Sequence, residues 1–227
     1  MVGASATPRT ALLAGATGLV GRALLSLLLA SKHYSRVHVL LRRATPDIEG
    51  SPKLNVHLVD FAMPPAALPT VDDVFIALGT TIKLAGSEAA FRQVDFAFVV
   101  NTARAARAAG ATRLAVVSAL GADAKSRIFY NRVKGEMQDA IAQLGYELVV
   151  IAQPSMLLGD RAALGQLARS REVWAARLLE PISRMMPKAV RPIHARAVAS
   201  ALLTAVLAAK PGIRVVKSGA MQAHDQP

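Results

Sequence analysis

The sequence predicts an α/β fold, a doubly wound parallel sheet with a small C-terminal helical region. Three observations predict it. Short apolar runs alternate with helical runs along most of the chain. The first such pair is joined by a glycine-rich turn, Gly15-Ala16-Thr17-Gly18-Leu19-Val20-Gly21. The chain of 227 residues is 53% hydrophobic, enough to bury a large core within a single domain.

The strands are expected at 10–14, 36–41, 54–59, 73–78, 112–117 and 146–151. Each is a short apolar run, as parallel strands covered on both faces should be. Helices are expected between them at 19–30, 88–109 and 128–144. Met63-Pro64-Pro65-Ala66-Ala67-Leu68-Pro69 stands where another helix would fit, and its prolines make it a loop. Gly110 and Gly145 close helices just ahead of strands. After Pro154 the pattern loosens. Irregular helices are expected over 160–192, a helix over 195–209 and a last strand over 213–216. The whole chain, 1–227, reads as one domain, with 155–195 as a small substrate-side or dimer-forming extension.

Composition removes several classes of function. The chain has no cysteine, which excludes disulfides, thiolate zinc sites and cysteine nucleophiles. Its five histidines show neither i, i+4 pairing nor an acidic partner, so no metal site is assigned; His194 precedes a helix, as a cap or a pocket residue. The net charge of +12 comes from scattered basic residues, and aromatics are only 4%. That fits a solvated basic surface, not a nucleic-acid platform. The run 197–209 is too short to span a bilayer, and the N-terminal apolar run contains the glycine turn, unlike a signal peptide. A cytoplasmic protein is expected. Oligomerisation stays open.

The glycine turn carries the first functional assignment. Gly15, Gly18 and Gly21 sit between a strand and a helix. That spacing lets a pyrophosphate approach the backbone and meet the N–H groups and positive dipole of the helix start. Thr17, Leu19 and Val20 belong to the same cradle. The second strand ends in Arg42-Arg43, where an NAD site carries an acid for the ribose 2′-hydroxyl; an arginine suits the 2′-phosphate of NADP. Asp47 and Glu49 follow Pro46, too late to face the ribose. Asp60, followed by Phe61, ends the third strand, as an adenine contact or as a cap for the next turn. Leu78-Gly79-Thr80 ends the fourth, where a glycine would let the backbone pass close to the cofactor ribose.

The catalytic candidates are Ser118, Tyr130 and Lys134. Ser118 closes the fifth strand. Tyr130 and Lys134 are i, i+4 on one helix face. A nearby ammonium favours the phenolate, so the tyrosine could exchange a proton with a carbonyl or alcohol oxygen. Ser118 could hold that oxygen, and Lys134 could also hold the nicotinamide ribose.

These residues resemble the short-chain dehydrogenase/reductase superfamily, in its atypical, extended-like branch. The chain is most similar to the small NADPH-binding oxidoreductases related to the human Tat-interactive protein. The similarity rests on the glycine turn, Ala77-Leu78-Gly79-Thr80-Thr81, Val94-Asp95, and Ser118-Ala119-Leu120-Gly121-Ala122-Asp123 leading to Tyr130 and Lys134. The stretch Ala152 to Arg161 also matches, with Gln153 where an arginine is more usual. The resemblance covers roughly 10–215. It implies an NAD(P)-binding Rossmann fold, NADPH as cofactor and the triad roles for Ser118, Tyr130 and Lys134. It also implies that Pro154 and Ser155 form a turn near the nicotinamide.

The expected function is NADPH-dependent hydride transfer between the nicotinamide and a small carbonyl or alcohol. One alternative is a non-enzymatic NADPH-binding regulator or redox sensor. Another is a sugar-nucleotide epimerase or dehydratase, weakened because only about 70 residues follow Pro154.

Overall fold

The computed structural model describes residues 7–45, 48, 50–63, 67–158, 186–208 and 210–224. Seven parallel strands form one sheet in the order β3-β2-β1-β4-β5-β6-β9. They are β1 Arg9–Ala14, β2 Tyr34–Leu41, β3 Leu54–Leu58, β4 Asp73–Ile76, β5 Arg113–Val117, β6 Leu148–Gln153 and β9 Gly212–Lys217. The order 3-2-1-4-5-6 is the Rossmann arrangement, and the order in which successive strands are added reverses between β1 and β4. Ligands in such sheets bind at that point, outside the C-terminal strand ends. A two-residue ladder, β7 Leu157–Leu158 with β8 Ile193–His194, lies apart from the sheet.

The apolar runs form parallel strands because both faces are covered. Successive residues of a strand point to opposite faces. Ala11, Leu13, Phe75, Ala115, Val117, Val150 and Ala152 therefore pack against α1 (Leu19–Ala30) and α6 (Ala195–Leu207). Leu12, Ala14, Val74, Ile76, Val116 and Ile151 face α4 (Val99–Ala108) and α5 (Phe129–Ala142).

Boundaries depart from expectation at identifiable places. The fourth strand stops at Ile76, so Ala77 to Thr81 forms a loop over the strand ends. Two short helices, α2 Ile82–Ala85 and α3 Glu88–Arg92, precede α4. Thr81 and Ser87 accept backbone N–H bonds that start them. The expected single helix 88–109 is interrupted by a π-helical segment, Gln93–Phe98. It turns Asp95 inward, where the side chain is only 1% exposed. After β9, a short helix α7 (Ser218–Met221) packs Met221 into the core. The last strand and the helix near 195–209 lie where the sequence predicts. The irregular helices expected over 160–192 fall mostly in 159–185, outside the described residues, as do Pro46, Asp47 and Glu49.

At the N-terminal strand ends, opposite the crevice, a polar cluster clamps three strands. The Tyr34 hydroxyl donates to Asp73 Oδ2 at 2.6 Å, and Arg9 pairs with Asp73. Asp73 is fully buried. Burial, then the charge of Asp72, raises the Tyr34 hydroxyl above its ordinary range, so it remains a donor.

Candidate functional site

The glycine turn divides into two kinds of position. Gly15 has φ +91, and a Cβ there would lie 2.5 Å from the Ala77 carbonyl carbon. A Cβ on Gly21 would lie 1.9 Å from Gly15 O. These two glycines let β1, α1 and the 77–78 loop touch. Gly18 differs: its φ is −82 and a Cβ would meet Gly15 O at 3.5 Å, ordinary contact. No packing requirement keeps Gly18 bare. It is the N-cap of α1, offers no side-chain cap, and no acid stands in the first turn. The N–H groups of Leu19, Val20 and Gly21 begin a helix and have no intrahelical acceptor. Bare backbone, open space above Gly18 and a positive helix end fit a phosphate.

The neighbouring loops complete the rim. Ala14 is level with Leu40 in the ladder, so Arg42 and Arg43 emerge from β2 beside the glycine turn, and both are exposed. Asp60 is exposed, and its Oδ1 accepts from Ala62 N at 2.9 Å, capping the next turn. Phe61 is 5% exposed and packs on Phe98 at 6.0 Å between ring centres. Its side chain belongs to the core, which leaves only its backbone available to a ligand. Leu78 is partly buried and Gly79 exposed. Thr80 N donates to Asp95 Oδ2 at 2.9 Å, which pins this loop.

Ser118 and Lys134 come together behind that loop. Lys134 is 3% exposed, and its Nζ lies 2.8 Å from Asp95 Oδ1. Nζ also donates to Val117 O at 3.5 Å, one residue before Ser118. A Cβ on Gly79 would sit 3.3 Å from Asp95 Oδ1 and 3.9 Å from Lys134 Nζ. The lysine ammonium has three donors. Asp95 and Val117 occupy two, which leaves one. Beside the roles expected for Lys134 towards Tyr130 and the ribose, it has a charged partner in Asp95, which neutralises it.

Tyr130 stands one helical turn before Lys134. Its ring packs on Phe91 with centroids 5.2 Å apart. Its hydroxyl has no hydrogen-bond partner among the described residues. α5 can approach the Ser118 loop because residue 135 is glycine: a Cβ there would come within 2.0 Å of Ala124 N.

Ser118 is 4% exposed, and its Oγ accepts from Gln138 Nε2 at 2.5 Å. Gln138 Oε1 in turn accepts from Gln153 Nε2 at 3.2 Å. Pro154 is buried beside this group, and its carbonyl accepts from Leu120 N at 2.9 Å. The Ser155 hydroxyl donates to Arg191 O and accepts from Ser218 Oγ at 2.9 Å. Ser155 therefore ties the C-terminal segment to β6, with its hydroxyl turned inward.

Asp95, Gln138, Gln153 and Gly135 carry no assigned role in the sequence. One signal was available: Tyr130, Lys134 and Gln138 repeat at i, i+4 and i+8, a single helical stripe. Asp95 gives no such signal, because the π-helical segment alone turns it inward. His38 and His57 form another pair that spacing hides. They sit on adjacent strands, with Nδ1 and Nε2 2.8 Å apart. Among the described residues no group of three or more His, Asp or Glu could hold a metal. No helix among them is long and apolar enough to cross a membrane.

Known proteins share this fold. An NAD(P)H-binding family matches residues 15–157, more than half of the chain. A protein named FMP52, mitochondrial, from Lodderomyces elongisporus is 32% identical over 192 residues, covering 75% of this chain and 80% of its own. The protein of the same name from Meyerozyma guilliermondii is 35% identical over 173 residues, covering 75% and 74%. Among solved structures, the Helicobacter pylori ADP-L-glycero-D-manno-heptose-6-epimerase superposes with a TM-score of 0.67 at 16% identity, over 92% of this chain and 76% of that one. A short chain dehydrogenase family protein from Francisella tularensis superposes with a TM-score of 0.65 at 12% identity, over 95% and 99%. At these identities the structures establish the fold alone.

The relatives correct one expectation. They are named mitochondrial, which overturns the cytoplasmic assignment. That assignment rested on missing cysteines and on an apolar run that is simply β1 and α1. Neither feature reports a compartment.

Proposed function

Because the chain belongs to the NAD(P)H-binding family, we propose that it is an NADPH-dependent oxidoreductase acting on a small carbonyl or alcohol. Bound NADPH would supply a hydride to the carbonyl carbon. The bare backbone at Gly18 and the start of α1 would hold the pyrophosphate, with Thr17 at its rim. Arg42, aided by Arg43, would pair with the 2′-phosphate. The Gly79-Thr80 turn and the spare Lys134 donor would hold the nicotinamide ribose. Pro154 would wall the nicotinamide side. Asp60 and the Phe61 backbone remain the proposed adenine contacts.

Ser118 would hold the carbonyl oxygen, and the Tyr130 hydroxyl would give that oxygen its proton as the hydride arrives. The product is an alcohol, and solvent then reprotonates the phenolate. The observation that carries this reading is the cluster of Ser118, Lys134, Asp95 and the Gly79 turn at the strand ends that also present Gly18. The likeness to oxidoreductases related to the human Tat-interactive protein belongs to the same proposal. So does a mitochondrial location, which the relatives' names support.

A second reading has one observation in its favour. Asp95 neutralises Lys134, as a purely structural ion pair would, and this favours an NADPH-binding regulator. Steady-state NADPH consumption over a panel of aldehydes and ketones separates the two. Turnover of any of them supports the oxidoreductase. Tight NADPH binding with no turnover across the panel overturns it and leaves the regulator.

A further inference from the structure

We propose that Gln138 and Gln153 are positioning residues that lock the Ser118 hydroxyl as a donor, so that the site takes an acceptor oxygen. The inference rests on the site proposed above and specifies what that site binds. Three elements contribute: Ser118 directly follows β5, Gln138 lies on α5 and Gln153 ends β6.

The direction of each bond is what matters. An amide has one acceptor oxygen and one donor nitrogen, so fixing one end fixes the other. Gln153 Nε2 donates to Gln138 Oε1 at 3.2 Å. The Gln138 nitrogen is thereby turned towards Ser118, and it donates to Oγ at 2.5 Å. A hydroxyl has one hydrogen and two lone pairs. With Gln138 occupying a lone pair, the Ser118 hydrogen must go elsewhere. Ser118 is 4% exposed, and an unmet polar group there would be costly. Its hydrogen is thus aimed at whatever enters the crevice.

That ordering selects chemistry. A carbonyl oxygen, or the alkoxide it becomes, accepts this hydrogen. The bond strengthens as negative charge develops on the oxygen, which favours the transition state over the ground state. Gln138 touches neither substrate nor cofactor in this scheme and acts only through Ser118. Gln153 acts only through Gln138.

The relay is tested directly by a joint neutron and X-ray structure of the deuterium-exchanged protein. The expected result is deuterium on Gln138 Nε2 facing Ser118 Oγ, with the Ser118 deuterium directed away from Gln138. A Ser118 deuterium pointing at Gln138 overturns the proposal, whether or not any carbonyl is reduced. Inactivity of the wild-type protein on every carbonyl would sink the oxidoreductase reading alone. The kinetic counterpart compares Gln138→Glu with Gln138→Met. A carboxylate only accepts, so it would capture the Ser118 hydrogen. Methionine leaves that hydrogen free. With NADPH affinity unchanged in both, kcat/KM for a carbonyl should fall on the order of tenfold further in Gln138→Glu than in Gln138→Met. In a Ser118→Ala background that difference should vanish. Equal losses in the two variants, or a difference that persists without Ser118, would show that Gln138 only packs.

Discussion

At the scale of single residues, the glycine turn makes the sharpest distinction, since three similar residues do two different jobs. Gly15 and Gly21 are bare so that the protein can pack; Gly18 is bare although the protein leaves room for a side chain. Gly18→Val should therefore fold, with a native circular dichroism spectrum, yet lose NADPH binding in a calorimetric titration. Gly21→Val should instead fail to reach the native state, because its Cβ would overlap Gly15. If Gly18→Val binds NADPH normally, the pyrophosphate does not sit over Gly18. Asp95 makes a separate prediction. Asp95→Ala leaves the Lys134 ammonium buried without its partner, which should cost about 3–5 kcal/mol in urea unfolding. A loss below about 1 kcal/mol would mean that the pair is not buried in solution.

At the scale of elements, the histidine pair joins β2 to the edge strand β3 and makes their contact sensitive to acid. His38 is held below its ordinary value by burial first, then by His57 and Arg36. The unfolded chain takes up this proton near pH 6.5, before the folded protein does. Stability should therefore be constant for this group above about pH 6.5 and fall as pH drops towards the lowered folded value. Melting temperatures measured from pH 7.5 to 5 should decline less steeply in His38→Gln than in the wild type. Parallel curves would remove His38 from the acid response. Elements were legible in the sequence where the signal is local. The apolar strands, the glycine turn, and the closing glycines Gly110 and Gly145 (φ +102 and +74) depend on neighbours a few residues away. The Tyr130–Lys134 spacing was legible for the same reason. The π-helical segment was not, because nothing in Gln93–Phe98 breaks the helical pattern. Asp95–Lys134, His38–His57 and Gln138–Gln153 were hidden because each pair is joined by the fold, across 39, 19 and 15 positions.

At the scale of the whole molecule, the sheet separates stability from chemistry. The Tyr34–Asp73–Arg9 cluster closes the N-terminal strand ends, and the functional candidates gather at the C-terminal ends. Under the proposed function, Arg42 and Arg43 would give that end a preference between cofactors. A charge-assisted contact to the 2′-phosphate is worth about 1.5–3 kcal/mol. NADPH should thus bind roughly tenfold or more tightly than NADH by calorimetry, and equal affinities would exclude an arginine contact. The central claim is that Tyr130 delivers the proton at this edge, and one measurement tests it most directly. That measurement is single-turnover oxidation of bound NADPH by a carbonyl substrate, compared between the wild type and Tyr130→Phe. Loss of the phenol oxygen alone should slow the step on the order of a hundredfold or more, with NADPH affinity unchanged. An unchanged rate in Tyr130→Phe would contradict it.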